Sequence, residues 1–80
     1  MSYHINKIPK GILGEFSKIE EEFLEAKDAL QQNNPIMVNI ELSDLLGAIA
    51  AYYEKRGLTL EDGLTMMRAT QRAFKTGHRS

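Results

Sequence analysis

Between Pro35 and Arg56 the chain carries Leu42, Leu45, Leu46, Ala48, Ile49, Ala50 and Ala51, which on a helix wrap apolar surface around most of the circumference. A helix of that kind needs neighbours on every side. The whole chain has 80 residues, and a domain of that size shields little of its surface from water. Two other helices of the same chain can hardly enclose this one, so the missing wall is expected from a second copy, as a homo-dimer or homo-tetramer.

Two further segments share the helical period. Ile12, Phe16, Ile19, Phe23, Ala26 and Leu30 recur at intervals of three and four, which predicts a first helix over about 14–32. Asn33-Asn34-Pro35 ends it and opens the second, since asparagine suits an N-cap and proline the first helical position. Gly57 is a fitting stop near Arg56. Thr59-Leu60-Glu61-Asp62 has the form of a capping arrangement and starts a third helix that runs to about Thr76, with Leu60, Leu64, Met67 and Phe74 as its buried side. No segment alternates at a period of two, so the fold class is all-α. Residues 1–80 form a single domain in which 1–11 are an arm or loop, because Pro9 disfavours helix at Ile8 and Gly11 permits a sharp turn.

Composition narrows the function classes. A formal net charge of −1, with 26% charged and 42% hydrophobic residues, is that of a soluble globular protein and argues against a general polyanion binder. Without cysteine there are no disulfides and no thiolate metal sites. No apolar run of signal-peptide length opens the chain and none approaches the roughly 20 residues that span a bilayer, so a cytoplasmic protein without membrane association is expected.

Acidic residues three apart on a helix share a face, so Glu22 and Glu25 project together from the first helix and Glu41 and Asp44 from the second. Acids on helix surfaces are usually solvated, and Glu20-Glu21-Glu22 alone reads that way. Glu41 and Asp44, however, sit inside the most apolar helix, where ionised groups are rare without a partner or a metal. Two such pairs facing each other would repel unless a cation stood between them, and all-oxygen ligation selects magnesium first and manganese second.

The string Glu21-Glu22-Phe23-Leu24-Glu25, followed after fifteen residues by Glu41-Leu42-Ser43-Asp44, resembles the EExxE and ExxD motifs of the all-α nucleotide pyrophosphohydrolases, which include MazG, dimeric dUTPases and phosphoribosyl-ATP pyrophosphohydrolases. The likeness covers about residues 12–79 and fits the compact, phage-type single-domain members. It implies a MazG-like four-helix-bundle core completed by oligomerisation, with magnesium held by Glu22, Glu25, Glu41 and Asp44. It also implies hydrolysis of a (deoxy)nucleoside triphosphate to the monophosphate and pyrophosphate by a metal-activated water, with Glu22 as the base. Glu21 matches the first glutamate of the motif and either orients a ligand or faces solvent.

A triphosphate needs further cations, and Arg68, Arg72, Lys75 and Arg79 fall on one face of the third helix. The plain alternative is a solvated face with cations favoured near the helix C-terminus. In MazG-like proteins an asparagine precedes the lysine and arginine of this stretch. Lys75 and Arg79 keep that spacing, while Arg72 stands in the place of the asparagine. Arg72, Lys75 and Arg79, with Lys18 one turn before Glu22, are the candidate phosphate contacts. Phe16, Tyr52 and Tyr53 either flank a base or pack in core and interface, and His4 and His78 are given no role. The competing function is a non-catalytic helical module that binds nucleotide or metal.

Overall fold

The computed structural model describes residues 3–77, in which α1 (Phe16–Gln31), α2 (Pro35–Lys55) and α3 (Leu60–Lys75) follow one another with no strand among the described residues. The chain is all-α, as the periods predict. Each boundary has a local cause. Asn33 takes a left-handed φ of 55° and the Asn34 N–H returns to the Ala29 carbonyl, closing α1. Asn34 Oδ1 then accepts the Met37 N–H at 3.1 Å, with Pro35 in the first turn, and α2 begins. Gly57, at φ 80°, follows its end. At α3 the Thr59 hydroxyl accepts the Asp62 N–H at 3.1 Å while the Asp62 carboxylate accepts the Thr59 N–H at 2.8 Å, a complete capping box.

α1 and α2 pack as a helical hairpin along their length, whereas α3 touches α2 sparsely and α1 not at all. The radius of gyration is 14.6 Å, against about 12 Å for a compact chain of this length. Among the described residues the buried apolar side chains are Ala26, Ala29 and Ala48, while Glu21, Glu22, Asp28 and Glu41 are buried too. The interior of one chain is thus largely an acidic seam between α1 and α2. Its large apolar side chains remain outside: Phe23 is 54% exposed, Leu42 45% and Met67 42%. The expected buried side of α3 is only partly covered within one chain: Leu60 and Leu64 are half-buried, while the helix makes no contact with α1 and leaves Met67 and Phe74 in contact with solvent.

Against the expectation that no stretch approaches the length needed to span a bilayer, α2 is long and apolar enough, by length and composition, to cross a membrane, a test that the mostly buried core helix of a soluble protein also passes. Glu41 and Asp44 sit near its middle, where each ionised carboxylate would add roughly 2.5–3.5 kcal/mol to insertion.

Candidate metal centre

Along α1, Glu21, Glu25 and Asp28 recur at intervals of four and three, with Glu22 beside them; the N-terminal arm covers Glu21 and Asp28, while Glu22 and Glu25 approach the acids of α2, Glu41 and Asp44. One carboxylate oxygen from each of Glu22, Glu41 and Asp44 lies within 4.8 Å of the others, and the same holds for Glu21, Glu22 and Glu25. The four residues expected as metal ligands therefore converge on one seam.

The seam carries more negative charge than the protein neutralises. Glu41 is 2% exposed, and its Oε2 has no hydrogen-bond partner among the described residues. Burial, followed by the hydrogen bond and charge of Asp44, pushes the Glu41 carboxyl above its ordinary value. Glu25 is raised too, first by burial and then by the Glu22 charge, against a smaller lowering by His4. A buried carboxylate oxygen without a donor is what a hard cation relieves, and oxygen donors alone suit magnesium or manganese. The donor set therefore fits the expected ion.

Lys18 sits at the mouth of the seam. Its Nζ is 3.1 Å from both Glu21 Oε1 and Glu22 Oε2. The hydrogen bond to Glu21 holds this ammonium above its usual value, burial opposes it, and the bond to Glu22 adds to the rise. Glu21 does not face solvent: it is buried and accepts the Gly11 N–H at 2.8 Å. Burial pushes its carboxyl up, but the Gly11 N–H and the Lys18 ammonium outweigh that and leave it lowered. A cleft of about 600 Å³ opens over the seam, lined by Lys10, Lys18, Glu22, Glu25, Ser43 and Asp44 among others.

Two residues of this site carry no role in the sequence reading. Asp28, 1% exposed, accepts the backbone N–H groups of Ile5 at 3.0 Å and Asn6 at 2.7 Å and the side-chain amide of Gln32 at 2.6 Å. Burial raises this carboxyl, yet the Asn6, Gln32 and Ile5 donors bring it down to about 2. Asp28 thereby ties the N-terminal arm to α1. His4 rides on that arm into the acidic row, its Nε2 3.1 Å from Glu25 Oε2 and its Nδ1 3.3 Å from Asp28 Oδ1. Asp28 had a signal, being three residues beyond Glu25 and extending the row by a turn. His4 had none, since the arm has no period and its contacts span more than twenty residues of chain.

Other candidates lie elsewhere. Arg72 and Lys75 are exposed on α3 and do not line the cleft of their own chain. Arg79 lies outside the described residues. Phe16 meets Tyr52 edge-on at 5.8 Å, Arg56 stacks 3.6 Å from the Tyr52 ring centre, and Tyr53 packs on Gly63, so all three aromatics serve packing at the far end of the hairpin. Compared with models of known families, with curated proteins and with solved structures, the chain matches none.

Proposed function

We propose that the chain is a magnesium-dependent pyrophosphohydrolase of the MazG type, hydrolysing a (deoxy)nucleoside triphosphate to the monophosphate and pyrophosphate in the cytoplasm. One observation carries the reading: carboxylate oxygens of Glu22, Glu41 and Asp44, from two helices, lie within 4.8 Å of one another, and a buried Glu41 oxygen has no hydrogen-bond partner among the described residues. Such an arrangement is unfavourable in the bare protein and favourable around a divalent ion.

Glu22, Glu25, Glu41 and Asp44 hold the ion. When bound, magnesium or manganese supplies charge neutralisation for the phosphates and a water of lowered pKa. Glu22 accepts the proton from the attacking water. Lys18 and Lys10, both lining the cleft, are placed to meet phosphate oxygens that approach it.

The same reading includes a homo-dimer or homo-tetramer. Exposed Phe23 and Leu42 on the hairpin and Met67 on α3 need covering, and a second copy supplies matching apolar surface. Arg72, Lys75 and Arg79 then contribute to phosphate binding across the subunit boundary.

The test is a pyrophosphate-release assay on purified protein over the canonical triphosphates, with magnesium, manganese or chelator. Equal amounts of monophosphate and pyrophosphate are expected with either ion and none with chelator. Glu41→Gln and Asp44→Asn abolish the release without loss of helix. Release of orthophosphate and diphosphate, or no turnover of any canonical triphosphate, overturns the proposal.

A further inference from the structure

His4 stands in an unusual electrostatic position. Its Nδ1 faces Asp28 Oδ1 at 3.3 Å, while its Nε2 faces Glu25 Oε2 at 3.1 Å and Glu41 Oε2 at 3.6 Å. The Glu41 oxygen on that side is the buried one without a hydrogen-bond partner among the described residues. Both ring nitrogens lie at hydrogen-bond distance from carboxylates: a doubly protonated ring donates on both sides, whereas a ring with its proton on Nδ1 alone turns the Nε2 lone pair toward two carboxylate oxygens and requires a cation between them.

The distances match those around an ion. Donor atoms about 2.1 Å from one octahedral cation stand about 3 Å from each other. His4, Glu25 and Glu41 each offer one donor atom within 4.8 Å of the other two. The second contact of the imidazole has the form seen in metal-bound histidines, whose remaining ring N–H is held by a carboxylate that fixes tautomer and orientation. Asp28 provides that carboxylate and is itself pinned by the Ile5 and Asn6 N–H groups, so the arm is anchored immediately after His4.

We propose that His4 Nε2, Glu25 and Glu41 form a second, nitrogen-containing metal position beside the all-carboxylate one, suited to a borderline ion of the manganese, iron or zinc class. Imidazole favours such ions over magnesium, which prefers oxygen and water. The position rests on the reading of the acidic seam as a cation site and is independent of any hydrolysis there. Glu25 and Glu41 belong to both positions, so the ion on His4 and the ion near Asp44 are neighbours that share two ligands.

The experiment uses zinc and magnesium as probes on the full chain. In wild-type protein, zinc is expected to shift the His4 Nε2 resonance while Nδ1 keeps its proton, and magnesium to leave both unmoved. By titration calorimetry, His4→Gln lowers zinc affinity by about tenfold or more and changes magnesium affinity by less than about twofold. Asp44→Asn does the reverse, weakening magnesium while zinc still shifts the His4 ring. A His4 Nε2 resonance that saturating zinc does not move, or equal zinc affinity in wild type and His4→Gln, overturns the proposal and leaves His4 as a protonated bridge between carboxylates. Wild-type magnesium affinity in Asp44→Asn would instead count against the all-carboxylate site, with the His4 result still standing.

Discussion

Buried carboxylates in this chain divide into two kinds with opposite effects on stability. Asp28 is surrounded by donors, and its carboxyl lies at about 2 against an ordinary 3.8. A group depressed on folding contributes stability that is fully present above about 3.8 and is lost as the pH falls through about 2. Glu41 and Glu25 are raised above 4.5 by burial and by neighbouring carboxylates. While ionised they oppose folding, and that opposition fades as the pH falls through their raised values. In chelator, thermal stability is therefore expected to rise on mild acidification from neutral and to decline only when the lowered carboxyls, Glu21 and then Asp28, begin to protonate. A monotonic fall from neutral downward would contradict this division. The amides of Ile5 and Asn6 report the second step separately, losing hydrogen-exchange protection as the arm leaves Asp28.

At the level of elements, the arm and the start of α1 are locked by a backbone contact with no room for a side chain. A Cβ on Gly11 would lie 2.3 Å from the Ser17 carbonyl oxygen and 2.5 Å from the Lys18 nitrogen. Neither atom yields without displacing the first turn of α1. Gly11→Ala is expected to destabilise by roughly 1–3 kcal/mol, the range of overpacked sites, and to break the Gly11 contact to Glu21. Denaturant unfolding checks the first effect and the titration of Glu21 the second; wild-type stability would show that the arm docks differently. The three helices were legible because caps and stops are local: Asn34 with Pro35, Gly57, and Thr59 with Asp62 each act within a turn of the boundary they set. The pairing of Glu22 and Glu25 with Glu41 and Asp44 was legible for the same reason, since a short connection forces α1 and α2 together. The docking of the arm was not, because Asp28 holds Ile5 and Asn6 through backbone donors, which every residue type offers equally. The course of α3 also escaped: its apolar stripe fixes that Met67 and Phe74 want cover but not which molecule provides it.

On the scale of the whole molecule, one chain encloses Glu21, Glu22, Asp28 and Glu41 and leaves most of its large apolar side chains outside, the reverse of a self-sufficient core. Phe23, Ala26, Leu30, Val38 and Leu42, with the stem of Lys27, line an apolar groove on the hairpin. Light scattering is expected to give two or four times the 9.1 kDa chain mass. Leu42→Asp should shift the population toward the single chain, keep magnesium binding at the seam and lose triphosphate cleavage, because the α3 cations then have no neighbouring cleft to serve. A single-chain mass in wild type would contradict the assembly. The central claim, that the acidic seam exists to hold a divalent ion, is tested most directly by thermal unfolding of wild type and Glu41→Gln with magnesium and with chelator. Magnesium at about a hundred times its dissociation constant stabilises a single-site protein by about 2.7 kcal/mol, which for a chain of this size raises Tm by roughly 10–20 °C. The account predicts that rise in wild type, its absence in Glu41→Gln, and a variant at least as stable as wild type in chelator because a buried carboxylate oxygen without a hydrogen-bond partner among the described residues is gone. A wild-type Tm that magnesium leaves unchanged, together with a Glu41→Gln variant less stable than wild type in chelator, would contradict it.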